Sequence, residues 1–138
     1  MLTETAPVDN SLLDKAQLIR YAQANFPAEL TALPQWVVWR YEHSADRPKP
    51  AKAPYSVHGG RARVNDPATW GTFEDVCNTY QNGSYDGIGF VFTEGTGVTG
   101  IDLDHAVTDG AVDDWTHDIM RLFPNTYAEF SVSGTGVH

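Results

Sequence analysis

A mixed sheet packed by helices, in the α/β (α+β) class, is the fold this sequence predicts, on three observations. Short runs dense in β-branched and aromatic residues, such as Gln35–Tyr41, alternate with segments of helical periodicity. Turn signals built from Gly, Pro and Asn separate them. A chain of 138 residues, 41% hydrophobic and with four Trp, is long and apolar enough to bury one domain-sized core.

The elements follow in order. Residues 1–11 are polar, and fraying is expected there. From Ser11 to Asn25, Leu12, Leu13, Ala16, Leu18, Ile19 and Ala22 recur with helical spacing, with Ser11 as N-cap and Asp14 three residues on. Phe26-Pro27 ends that helix, and a further helical turn over Ala28–Ala32 precedes Pro34. Gln35–Tyr41 reads as a buried strand with Arg40 at its exit. Residues 43–58, with Pro48, Pro50 and Pro54 among basic residues, read as a long extended loop. Asp66–Thr72 is a turn into a helix that Thr72 caps, with Glu74 and Asp75 in its first turn and Asn82-Gly83 at its end.

Gly87–Phe92 and Val98–Leu103, joined by Thr93–Gly97, have the spacing of a hairpin. Asp113–Phe123 reads as a helix with Trp115, Ile119, Met120 and Phe123 on one side, and Thr126–Val132 as a returning strand. Hairpin, helix and strand are compatible with the β-β-α-β core of an RRM-like or split βαβ fold. The chain divides into an N-terminal helical segment (1–27), an αβ part with the basic loop (28–83) and a C-terminal part (84–138).

The net charge of −9 argues against a plain electrostatic grip on nucleic acid. Its distribution is uneven. Six of the nine basic residues (Arg40, Arg47, Lys49, Lys52, Arg61, Arg63) lie between 40 and 63, against Glu42 and Asp46, a local charge of +4. From 64 onward there are twelve acids and one base, Arg121. This polarity suits an anionic ligand held together with metal ions, and equally a solvated basic loop. No stretch approaches the ~20 apolar residues of a membrane span, and Met1–Thr5 lacks the basic start of a signal peptide. The single cysteine, Cys77, cannot form an internal disulfide, so a cytoplasmic location is expected.

Asp102 and Asp104 carry the most chemistry. Two carboxylates at i and i+2 on a strand project from one face, roughly 6–7 Å apart, within reach of one hard divalent cation or a pair of them. About 30 residues on, Ser131-Val132-Ser133-Gly134-Thr135-Gly136-Val137-His138 is a small-residue turn that delivers a histidine. Taken singly, each feature has a structural reading: one aspartate caps a turn, His138 and His105 are exposed loop residues, and Lys52 is solvated. Two other patterns fail. Gly95–Gly100 satisfies G-x-G-x-x-G but leads into a strand, so no helix N-terminus would receive a pyrophosphate. The run from Asp102 to Asp109-Gly110 lacks an EF-hand's ligand at Ala106 and its glycine at Val107.

Read together, Leu33–Arg40, Lys52–Tyr55, Asp66–Phe73, Tyr85–Phe92, Gly100–His105 and Tyr127–His138 closely resemble the N-terminal primase-polymerase domain of phage and plasmid replication proteins. That domain belongs to the archaeo-eukaryotic primase superfamily, and the resemblance covers about residues 28–138, in order. It implies a partial primase-polymerase fold and template-directed nucleotidyl transfer. In that superfamily an acid-x-acid motif carries catalytic Mg²⁺ or Mn²⁺, matched by Asp102 and Asp104. A small residue-x-histidine motif meets the incoming triphosphate, matched by Gly136-Val137-His138. The Ser133-Gly134-Thr135-Gly136 turn would bring backbone N–H groups near the phosphates, and Lys52, with Arg40 as a weaker candidate, would pair with phosphate.

The implied partners are nucleoside triphosphates, a single-stranded DNA template and a helicase domain or subunit. The family's third metal-binding acid lies downstream of the histidine, so the 138 residues are expected to be an incomplete domain, and a fragment of a longer primase-helicase is favoured. The alternative is a non-catalytic nucleotide- or DNA-binding module or subunit that lacks the third acid.

Overall fold

In a computed structural model of the chain, the described residues are 6, 7 and 14–138. The proposed N-cap Ser11 and the rest of the polar start lie outside them. The chain forms two compact units, one of Lys15–Val98 and one built on Thr99–His138. The α+β class holds, with helices beside sheets whose pairings are all antiparallel among the described residues.

In the first unit, α1 (Lys15–Asn25), α2 (Ala28–Thr31) and α3 (Phe73–Asn82) accompany three strands, β1 (Trp36–Glu42), β2 (Ala51–Tyr55) and β3 (Gly87–Phe90). The sheet order is β2-β1-β3. Strand β1 matches the sequence reading within a residue, and its alternation divides the two faces. Trp36 and Val38 enter a core with Ile19, Val76, Cys77 and Tyr80, while Val37 packs with Ala62, Trp70 and Val91 on the other side. Trp36 is 2% exposed. Its indole N–H donates to the Leu30 carbonyl at 3.1 Å, and its rings lie 4.9 Å from Phe73, 5.3 Å from Phe90 and 5.8 Å from Phe26. A buried indole needs such an acceptor, and the aromatic neighbours supply contact area. Burial also pushes the Cys77 thiol up to about 11.

Two expectations change here. The prolines of residues 43–58 led to a loop, yet Ala51–Tyr55 forms β2, with Pro54 opposite Trp39 and Lys52 opposite Tyr41. An edge strand tolerates a proline because one side of its ladder has no partner strand to receive an N–H. The hairpin of Gly87–Phe92 with Val98–Leu103 does not form. Strand β3 pairs instead with β1, and Gly95 and Gly97 turn the following chain through left-handed conformations.

Helix α3 starts as its sequence indicates. The Thr72 hydroxyl accepts from the Asp75 N–H at 3.1 Å, and the Asp75 carboxylate accepts from the Thr72 N–H at 3.1 Å, a complete capping box. At the other end, the Lys15 ammonium donates to the carbonyls of Tyr80 and Gly83, where a helix C-terminus favours a cation.

The second unit contains β4 (Val107–Thr108), β5 (Ala111–Val112) and α4 (Asp114–Arg121). Strands β4 and β5 form a hairpin across Asp109-Gly110, both at positive φ (50° and 79°). Asp-Gly is the dipeptide such a two-residue turn prefers. Helix α4 is shorter than expected, and it does not bury Trp115 or Phe123, which are 46% and 45% exposed. The residue it buries is Thr116, whose hydroxyl donates to the Ala106 carbonyl at 3.3 Å. A buried hydroxyl is stable there only because that carbonyl accepts from it. Among the described residues no helix is long and apolar enough to cross a membrane.

Replacing Thr72 with Ala removes the cap of α3 and should cost about 1 kcal/mol, read as a lower urea midpoint at unchanged slope. The Thr72 backbone N–H, and next its side chain, hold the Asp75 carboxyl below its ordinary 3.8. That contribution is therefore present above pH 3.8 and lost as pH falls through the lower folded value. Acid titration of Asp75→Asn should show a correspondingly shallower loss of stability.

Candidate functional site

Leu103 and Val137 exchange backbone hydrogen bonds, Leu103 N–H to Val137 O at 2.8 Å and Val137 N–H to Leu103 O at 3.0 Å. Glu129 and His138 exchange another pair at 3.0 and 2.9 Å, and Ser131 N–H reaches the Gly136 carbonyl at 2.8 Å. Val137 is thus bracketed by Leu103 on one side and Phe130 on the other. These three share a face and pack with Ala106 and Ala128. By period-two alternation, their neighbours Asp102, His138 and Glu129 occupy the opposite face as one cross-strand row.

The side chains follow that row. His138 Nε2 lies 3.6 Å from Asp102 Oδ1, and His138 Nδ1 lies 3.5 Å from Glu129 Oε1. The Tyr127 hydroxyl donates to Glu129 Oε2 at 3.0 Å. Exposure falls along the row, from 68% for the Asp102 side chain to 41% for His138 and 31% for Glu129.

Asp104 sits differently from the regular strand the sequence predicts. Val98–Leu103 is not a strand, and Leu103 alone makes a bridge there. After it, Ala106 N–H bonds to the Thr135 carbonyl at 2.9 Å. Leu103 to Ala106 is one residue longer than the facing Val137 to Thr135, so Asp104-His105 bulges out, with His105 at φ 52°. Bulges re-aim side chains, and this one leaves Asp104 exposed beside the bridge. Asp102 and Asp104 flank Leu103, and among the described residues neither meets Lys or Arg in an ion pair. No group of three or more His, Cys, Asp or Glu placed to hold a metal is present among the described residues.

The Ser131–Gly136 turn is internally bonded. Gly134, at φ 75°, donates its N–H to Ser131 O at 2.8 Å, and Gly136 N–H donates to Ser131 Oγ at 2.9 Å. The Ser133 hydroxyl lies 3.0 Å from that of Ser131 and 2.9 Å from that of Thr135. Gly136 is glycine for a steric reason, since a Cβ there would lie 2.9 Å from the Leu103 carbonyl oxygen. Beside His138, Ile101, Ile119, Phe123 and Tyr127 help line an open apolar hollow.

Arg40 and Lys52 belong to the first unit. Arg40 donates to the Tyr55 hydroxyl at 2.8 Å, lies 4.3 Å above its ring and approaches Glu42 at 4.0 Å. Glu42 also binds the Tyr55 hydroxyl and Arg61, and these, Tyr55 first, hold its carboxyl below its ordinary value. Lys52 has no carboxylate partner among the described residues, and its ammonium lies 5.3 Å from the centre of the Trp39 ring. That ring in turn lies against Gly87, where a Cβ would come within 2.5 Å.

No family model matches the chain. A search of curated proteins finds a relative in Nitratiruptor phage NrS-1, 30% identical over 112 residues, which is 79% of this chain. That relative is a DNA primase-polymerase. The chain spans 15% of its length. The similarity supports a primase-polymerase relationship for the chain, in keeping with the family its motifs resemble.

Sequence reading missed Glu129 and Tyr127. Both alternate with Phe130 and Ala128 along the predicted strand, so period two assigns them a face. Only the pairing with His138 shows what that face meets.

Gly136→Ala should force the Leu103 carbonyl aside and cost about 1–3 kcal/mol. Faster amide exchange at Leu103 and Val137 than at α3 would register the loss of this bridge.

Proposed function

We propose that this chain binds a metal–nucleoside triphosphate and serves template-directed nucleotidyl transfer, as a DNA primase/polymerase of a phage, plasmid or other mobile element. One observation carries the reading. Asp102 and His138, which the sequence separates by 36 positions, stand side by side across the Leu103–Val137 pairing. The similarity to a phage DNA primase-polymerase supports it independently.

The donor chemistry fits a hard cation. Asp102 and Asp104 offer exposed carboxylate oxygens without a competing Lys or Arg among the described residues, and Mg²⁺ or Mn²⁺ is held through one or two carboxylates plus substrate phosphates and water. These two residues would hold the ion, which supplies neutralisation of the phosphate charge and activation of the attacking hydroxyl. His138, with both ring nitrogens protonated, would keep Nδ1–H toward Glu129 and offer Nε2–H, on the Asp102 side, to a phosphate oxygen. Ser133 and the Gly134 and Gly136 backbone shape the turn that presents it. Lys52 is an exposed cation free to meet a phosphate, whereas Arg40 serves first to hold Glu42 and Tyr55. Single-stranded DNA is the template in this reading, and a helicase domain or subunit the further partner.

Calorimetry with dNTP or rNTP, with and without Mn²⁺, tests the proposal. Metal-dependent binding that is lost in Asp102→Ala, with the fold intact by circular dichroism, is the expected outcome. Binding that ignores both the metal and Asp102 would sink it. Binding without nucleotide incorporation on a primed template would favour the non-catalytic module instead.

A further inference from the structure

We infer that Glu129 is a positioning residue that sets the orientation of the His138 imidazole, with Tyr127 holding Glu129 in turn. The inference rests on the nucleotide-binding reading for its consequence, but its geometry stands on side chains within one unit.

An imidazole on a strand is free to rotate about χ2, and either ring nitrogen can then face a ligand. Here the two nitrogens are assigned different neighbours. Nδ1 faces Glu129 Oε1 at 3.5 Å, which leaves Nε2 on the Asp102 side at 3.6 Å. The backbone makes this arrangement repeatable. Glu129 and His138 are a hydrogen-bonded pair, with bonds of 3.0 and 2.9 Å, so their Cβ atoms stand opposite each other on one face. Glu129 is itself restrained, because the Tyr127 hydroxyl occupies its second oxygen at 3.0 Å. It is also the least exposed of the three side chains in the row, at 31%. The partner of the ring's far nitrogen decides which nitrogen is presented, as in metal-bound histidines oriented by a carboxylate.

The role is orientation, so an acceptor oxygen at position 129 should suffice. Glu129→Gln keeps one, while Glu129→Ala does not. Neither disturbs the backbone pairing. Two readouts separate the possibilities. In ¹⁵N-edited spectra of the chain without nucleotide, wild type and Glu129→Gln should show a slowly exchanging His138 Nδ1–H, and Glu129→Ala should lose it. In calorimetry with Mn²⁺ and dATP, Glu129→Ala should weaken binding about tenfold, and Glu129→Gln less than threefold. In a His138→Ala background, Glu129→Ala should add nothing further, since its effect acts through the ring.

An unchanged Nδ1–H signal in Glu129→Ala overturns the inference whatever the nucleotide does. An equal loss of affinity in the two Glu129 variants, or an additive loss in the double variant, overturns it as well. If wild type binds no nucleotide while the ring signal still depends on Glu129, the positioning role stands and the nucleotide function falls alone.

Discussion

The reciprocal bonds between Leu103 and Val137 are the constraint on which the candidate site depends. Val137 is almost wholly buried and pairs on both sides, so it fixes the register of two segments at once. Register decides chemistry because side chains alternate with period two. A slip of one residue would turn Asp102, His138 and Glu129 into the apolar cluster and expose Leu103, Val137 and Phe130. Apolar burial beneath the bridge thus orients the polar row above it. Gly136 permits the approach, and the bulge at Asp104-His105 ends the pairing directly after the bridge.

The basic segment illustrates how local charge counts mislead. A sum of +4 over residues 40–63 suggests an open cationic surface, yet Glu42 sits among Arg40, Arg61 and the Tyr55 hydroxyl. Those charges are partly spent on each other, and exposed pairs of this kind add little stability. Lys52 differs because of the register of β2. It stands opposite Tyr41, on the face that carries Trp39, and so meets an aromatic ring in place of a carboxylate. Alternation along one short edge strand separates a neutralised arginine cluster from an uncompensated lysine.

Much of the first unit was legible in the sequence. The aromatic and β-branched run of β1, the Thr72 N-cap and the apolar period of α1 are local signals, and local signals survive into the fold. The acid pair and the glycine turn with His138 stand out in the sequence as residue types, and the fold sets Asp102 beside His138. What misled was also local. Three prolines suggested a loop where an edge strand forms, and Gly-flanked apolar residues suggested a hairpin where Leu103 finds a distant partner. Trp115, Ile119, Met120 and Phe123 share one side by spacing, but Thr116 is the residue α4 buries, its hydroxyl bonded to the Ala106 carbonyl.

The sequence by itself determined the α+β class, the Thr72 cap and main strand of the first unit, and which residues offer carboxylate and imidazole donors. Tertiary structure alone decided that Leu103 pairs with Val137, that Asp102 therefore meets His138, and that Glu129 stands behind the imidazole. The reason is physical. Composition and periodicity assign a residue to a face, whereas its neighbour on that face depends on pairing between segments far apart in the chain, which no local pattern encodes.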